Sequence, residues 1–306
     1  MNLKSKTVRL SASMHSSRIS SRRPAILALA AALGCSVGAA SLIAADKHPK
    51  ASALAQAHGE HGSHKHGAVE ATVAMTAASA QPLAVEQKAD VTLTIKRNDG
   101  TPVMPDDLEV AHTQKVHALI VDLTLTDYHH EHPLPTGKPG EYAFSFTPHK
   151  SGPYRIWADL LPKGGEQKYV IADLAAPTQP EPITNRTESL ETVVDGLTYT
   201  VSFKQSPKVG EAILGTLTIT DSTGTAFPSL EPVMGAYAHI VGFFEDLKTI
   251  AHIHPMGEEP TKETDRGAGK LDFHLMPEHP GLLRLFAQVQ IRGVSRFVPF
   301  TLSIQK

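Results

Sequence analysis

The stretch Tyr142-Ala-Phe-Ser-Phe-Thr-Pro-His-Lys-Ser-Gly-Pro-Tyr-Arg-Ile-Trp-Ala158 decides the fold. Tyr142, Phe144 and Phe146 alternate with small or polar residues, Ser151-Gly152-Pro153 breaks the run, and alternation resumes at Tyr154, Ile156 and Ala158. Side chains two apart share one face of a strand, so a period of two on either side of a turn signal reads as two strands, each with one buried face. The same pattern extends outward to Val91-Thr-Leu93-Thr-Ile95, Ala118-Leu-Ile-Val121 and Lys168-Tyr-Val-Ile171, with turns at Asn98-Asp99-Gly100, Thr136-Gly137 and Lys163-Gly164-Gly165. Past a Pro-rich stretch, strands resume at Thr198–Phe203 and Leu214–Thr220. Short strands at this spacing, with no amphipathic helix of useful length, define an all-β chain of sandwich type.

The pattern occurs twice. With an offset of 122 residues, His117 falls on His239, His130 on His252, His132 on His254 and Pro133 on Pro255. After a seven-residue insertion the match continues at offset 129, pairing Phe144 with Phe273, Gly152 with Gly281, Arg155 with Arg284 and Trp157 with Phe286. A repeat of this length predicts two tandem Ig-like antiparallel β-sandwich domains, over residues 81–176 and 191–306, joined by a Pro-rich linker over 177–190.

Each copy resembles the YtkA-like group of small exported bacterial β-sandwich domains. The residues that carry the resemblance are His117, Tyr128, His130-Glu-His132-Pro133 and Phe144 to Trp157, and again His239, Asp246-Leu247, Ile250, His252-Ile-His254-Pro255 and Phe273 to Phe286. They span about two-thirds of the chain. The resemblance implies export and a role in handling heavy metals, copper above all, and it implies the fold more firmly than the role.

The histidines support a metal on their own chemistry. His130 and His132 share a strand face with Tyr128, His252 and His254 with Ile250, His117 with Leu119 and Val121, and His239 with Val241 and Phe243. The apolar company predicts that this face looks inward and that three imidazoles converge at one end of each sandwich. Buried imidazoles without partners are costly, and a metal satisfies their lone pairs together. Five residues before the first His, one copy has His112 where the other has Met234, and His274 is an extra candidate in the second. A His-only set suits Cu(II) or Zn(II), and a thioether shifts preference toward Cu(I). The competing reading has the same imidazoles bonded to backbone carbonyls, locking the loops before Pro133 and Pro255.

Composition bounds the rest. The chain has 306 residues with 29 Lys and Arg, 31 Asp and Glu, 17 His and one Cys. The first 45 residues hold six cations, no acid and an apolar Ala/Gly-rich run, which reads as a signal peptide with a partial twin-arginine pattern at Arg22-Arg23; an uncleaved membrane anchor is the alternative. Without the leader, 23 cations face 31 acids, a net charge of −8 that offers no general attraction to nucleic acid. Cys35 leaves with the leader, so no thiol is expected in the mature chain. Residues 46–80 read as a flexible linker whose His58, His61, His64 and His66 can chelate a transition metal. Neither a hydrolase nor a cupin fits: a nucleophile elbow is missing, and the cupin-like His252-x-His254-x-x-x-Glu258 lacks its flanking glycines, which leaves a copper-dependent oxidase as a third reading. The expectation is therefore a periplasmic protein that binds or buffers copper, with zinc second, without catalysis, and with a membrane-bound metal transporter as candidate partner. The alternative is a structural or protein-interaction module that holds no metal.

Overall fold

A computed structural model describes residues 73–175, 183–253 and 255–306; of His252 only the backbone is described. The expected leader over 1–45 and the tether histidines His58, His61, His64 and His66 lie outside these residues. Among the described residues no helix is long and apolar enough to cross a membrane.

The chain forms two tandem antiparallel β-sandwiches of Ig-like type. The first contains β1 (Val73–Ser79), β2 (Ala89–Arg97), β3 (Val116–Asp122), β4 (Tyr128–Glu131), β5 (Leu134–Pro135), β6 (Glu141–Phe146), β7 (Tyr154–Leu160) and β8 (Lys168–Leu174). One sheet runs β1-β2-β6-β5 and the other β4-β3-β7-β8. The second contains β9 (Glu191–Val194), β10 (Leu197–Phe203), β11 (Ile213–Thr220), β12 (His239–Phe244), β13 (Ile250–Ile253), β14 (Pro255–Met256), β15 (Lys270–Leu275), β16 (Gly281–Ile291) and β17 (Val294–Ile304). Its sheets run β14-β15-β11-β10-β9 and β13-β12-β16-β17. Apart from the additional β9, strand order repeats, and so does register: Leu119 opposes His130 as Val241 opposes His252. Gly152 and Gly281, equivalent in the repeat, have φ of 108° and 111°, which only glycine adopts without strain.

Each sandwich closes over its own core. Ile120, Tyr142, Phe146 and Ile156 lie in the first, and Ile240, Phe273, Leu285 and Phe300 in the second. A third core lies between the sandwiches, where Leu119, Val121, Leu125, Tyr128 and Trp157 meet Val241, Phe243, Ile250 and Phe286. Tyr128 stands 5.3 Å from Phe243 and 5.0 Å from Phe286, ring centre to ring centre, and Trp157 5.0 Å from Phe243. Arg155 donates to the Leu247 carbonyl at 2.7 Å across the same boundary. The sheets carrying the histidines are thus buried on both faces.

That arrangement corrects one expectation. The face that carries His117, Leu119 and Val121 is buried, but against the other sandwich; the residues between them, Ala118 and Ile120, face their own core. Every residue of β3 and of β12 is buried, and the apolar character on both faces of these strands is the cue that one-sided alternation misses.

The expected domain limits are corrected as well. Val73–Ser79 is a paired strand rather than linker: Val73 and Met75 are buried, and β1 lies in register on β2 from Val73 opposite Arg97 to Ser79 opposite Val91. Three of its seven residues are alanine, so hydrophobic contrast between the faces is weak in the sequence. At the other junction Ile183 packs on the inter-sandwich core, Leu190 on the second core, and Ser189 bridges to Thr301, so the end of the expected 177–190 linker already belongs to the fold.

Candidate metal centre

β3 and β4 lie side by side in one sheet, and their register sets His117 and His130 on the same face; His132 follows just past the end of β4. One ligand nitrogen from each of the three lies within 4.8 Å of the others. His117 Nδ1 is 3.1 Å from His130 Nε2, and the ring centres of His117 and His130 lie 5.0 and 5.2 Å from that of His132. The edge of a tetrahedron built on ~2.0–2.1 Å metal–nitrogen bonds is roughly 3.3 Å, so the closest pair already stands at ligand spacing.

The second sandwich completes the group. Met234 Sδ is 3.1 Å from His132 Nε2, and Gln288 Oε1 is 3.0 Å from His130 Nδ1. The ring of His239 lies 6.3 Å from His130 and 5.6 Å from His112, which in turn lies 6.1 Å from His117. Among the described residues, then, the first copy's expected cluster forms, and it lies between the sandwiches, with His117, His130 and His132 facing the second copy's Met234, His239 and Gln288. His274 is not part of it: β15 alternates, and His274 lies on its exposed side, opposite Leu214 on β11. The backbone of His252 opposes Val241 on β12, while His254 lies outside the described residues.

Neighbouring groups determine where the protons sit. A carbonyl only accepts, so His117 donates Nε2–H to the Ala111 carbonyl at 2.8 Å and holds its lone pair on Nδ1. With Gln288 Oε1 accepting from Nδ1–H of His130, the lone pair of His130 is on Nε2. Two lone pairs then confront each other at 3.1 Å, which is repulsive unless a cation is shared between them. Turning the Gln288 amide by 180° relieves the repulsion without a metal, since Nε2–H would donate to His130 Nδ1 and His130 Nε2–H to His117. Gln288, which the sequence reading did not single out, thus selects between a ligand pair and a closed hydrogen-bond chain.

Burial first, and then the neighbouring imidazoles of His117, His132 and His239, hold His130 well below the usual histidine range. Burial, followed by His117, brings His132 down to about 4. These two rings are neutral at pH 7, as ligands must be.

The turns ahead of the two first histidines point the same way. Ala111 and Gln114 exchange both backbone hydrogen bonds around His112-Thr113, and Val233 and Ala236 do so around Met234-Gly235. All four central residues have positive φ, with His112 at 47° and Met234 at 51°. Tight hairpins of this kind favour Asn-Gly or Gly-Gly. A histidine and a methionine held there carry backbone strain that the turn itself does not require, a trait of functional positions.

Geometry defines the class: a tandem β-sandwich protein with a mixed imidazole and thioether cluster at the boundary of its repeats. The chain belongs to the family described as Domain of unknown function (DUF8832), whose model matches it twice, over residues 68–176 and 192–306. No curated protein matches the chain significantly. Among solved structures it is similar to the D0-D1 domain of Intimin (12% identity, 75% of this chain and 97% of that one, TM-score 0.22). It is likewise similar to domains 4 and 5 of the S-layer protein SbsC (12%, 77% and 100%, TM-score 0.23) and to the tandem Ig repeats of Dlar (10%, 76% and 97%, TM-score 0.20).

Proposed function

We propose that the protein is an exported, non-catalytic metal-binding protein that holds copper between its two sandwiches, with zinc the second choice. His117, His130 and His132 supply imidazole nitrogens and Met234 a thioether, and His112 and His239 form the wall of the site. The observation that carries this reading is the 3.1 Å approach of His117 Nδ1 to His130 Nε2, with both neighbouring hydrogen bonds directing lone pairs at the same point. The acid-free leader and the resemblance to YtkA-like exported domains support a periplasmic site of action, with delivery to or from a membrane-bound metal transporter. A ligand set drawn from both repeats would make the ion a clasp between them.

Metal analysis of protein purified from the periplasm tests the proposal, together with thermal melts of chelator-treated protein with and without copper. A copper excess of a hundredfold over Kd stabilises the bound fold by about 2.7 kcal/mol, and His132→Ala removes most of that gain. The competing module without metal rests on the apolar core between the sandwiches, which joins the repeats unaided. It requires the turned Gln288 amide, and it forecasts identical melts with and without copper.

A further inference from the structure

Outside the inter-sandwich cluster, a second group of ligand atoms sits on the opposite face of β4. We infer that Asp127, His129 and His149 form a second and separate metal site, suited to a divalent cation of the Zn(II) class, with Glu86 orienting His149 from behind.

One donor atom from each of the three residues lies within 4.8 Å of the others. His129 alternates with Tyr128 and His130, so its ring turns away from the second sandwich toward Phe146, 5.0 Å off, and Tyr154. Asp127 is held rigidly: its own N–H donates to Asp122 Oδ1 at 2.7 Å, and its Oδ2 accepts from the N–H of His149 at 2.7 Å and from the Tyr154 hydroxyl. Oδ1 is left facing His129 Nε2 at 3.0 Å. That nitrogen is buried and is held beside Oδ1 as one half of a His–Asp pair, with no other hydrogen-bond partner among the described residues. With His129 neutral and its proton on Nδ1, this imidazole nitrogen and carboxylate oxygen at 3.0 Å are spaced as neighbouring ligands are.

The third member closes the arrangement. Glu86 Oε1 is 2.9 Å from His149 Nδ1, and a carboxylate only accepts, so His149 carries its proton on Nδ1 and its lone pair on Nε2. A carboxylate behind a histidine in this manner fixes the tautomer and ring orientation of metal ligands. Two imidazoles and one carboxylate suit a borderline divalent ion, and exposed His149 leaves a way in for the ion and for water. The second repeat has Thr249, Ala251 and Glu278 at the corresponding positions, so the site belongs to the first sandwich alone.

The test uses the full chain, stripped of metal by a chelator, and titrates Zn(II) by competition with a chromogenic chelator and Co(II) by its visible ligand-field absorption. His149→Ala removes one retained equivalent of Zn(II) per chain, or weakens it at least tenfold, and loses a Co(II) band present in the wild type. Glu86→Gln weakens the same equivalent by about tenfold, as expected for an orienting partner. His149 is exposed, so apo melts of His149→Ala and wild type coincide. His132→Ala acts on the other cluster and leaves this equivalent in place, and the tether histidines are common to all variants and cancel in the differences. Equal Zn(II) stoichiometry and affinity in wild type and His149→Ala would overturn the inference. Loss on His149→Ala with no response to His132→Ala would uphold it and remove the inter-sandwich site instead.

Discussion

Reading the inter-sandwich cluster by metal titration calls for removal of the tether histidines, and where the cut is made decides whether the protein survives. A deletion of residues 46–72 takes out His58, His61, His64 and His66 and stops short of β1. A deletion of 46–80 also takes out Val73 and Met75, both buried, and with them the whole antiparallel ladder against β2. Burial of a Val or Met side chain is worth about 1.5–3 kcal/mol, so the two together account for about 3–6 kcal/mol. Domains of this kind have about 5–15 kcal/mol in total. With a urea m-value of about 1–3 kcal/mol/M, the longer deletion lowers the unfolding midpoint of the first sandwich by roughly 2 M, while the shorter leaves it where it was. Urea titrations followed by Trp157 fluorescence report the first sandwich directly, because Trp157 is the only tryptophan in the chain. Coincident midpoints for the two deletions would refute the assignment of β1 to the folded body.

Met234→Ala is expected to lower Cu(I) affinity selectively, with Cu(II) almost unchanged; equal effects on both ions, read by competition with ion-specific chelators, would take the thioether out of the site. His132 titrates near 4 against an ordinary value of 6.5, so between those values the unfolded chain binds a proton that the folded chain does not. Apo stability is therefore full above pH 6.5 and falls as pH drops toward 4, by on the order of 1–2 kcal/mol for His132 once its partial exposure is allowed for, and the drop in urea midpoint from pH 7 to pH 5 shrinks in His132→Ala without vanishing, since His130 is lowered too. Tyr128→Phe leaves stability unchanged or raises it by about 1 kcal/mol in thermal melts, because the buried Tyr128 hydroxyl has no partner among the described residues. The mass of the mature protein is expected to place its first residue within 40–47, and a chain that keeps Met1 would refute export by a cleaved leader.

How much of this was legible in the sequence follows from the local character of each signal. The strands of Tyr142 to Ala158 and the duplicated histidines stood out because alternation and spacing are properties of neighbouring residues. The docking of one sandwich on the other did not, since Leu119 and Val121 look the same whether they face their own core or a foreign one. The sharing of one cluster by two repeats depended on that docking and was hidden with it. β1 was lost among alanines whose two faces differ little. The Asp127, His129 and His149 group escaped because its members come from a turn, a strand and a distant loop, and because attention to His130 and His132 favours the other face of β4. In retrospect the missing cue for the boundary was apolar residues on both faces of β3 and β12.

The core between the sandwiches has a further consequence. Leu119, Val121, Leu125, Tyr128 and Trp157 of the first repeat correspond one for one to Val241, Phe243, Leu247, Ile250 and Phe286 of the second, and these are the residues that meet. Equivalent patches thus meet each other, as they do across the two-fold axis that unites the subunits of a symmetric dimer. A single-repeat chain on this plan would carry that patch exposed and would pair with a second copy, bringing two identical histidine sets together at the axis. Joining the copies in one polypeptide releases the two halves from identity. One can then hold His112 where the other holds Met234, a difference across the boundary that a homodimer of identical copies could not have.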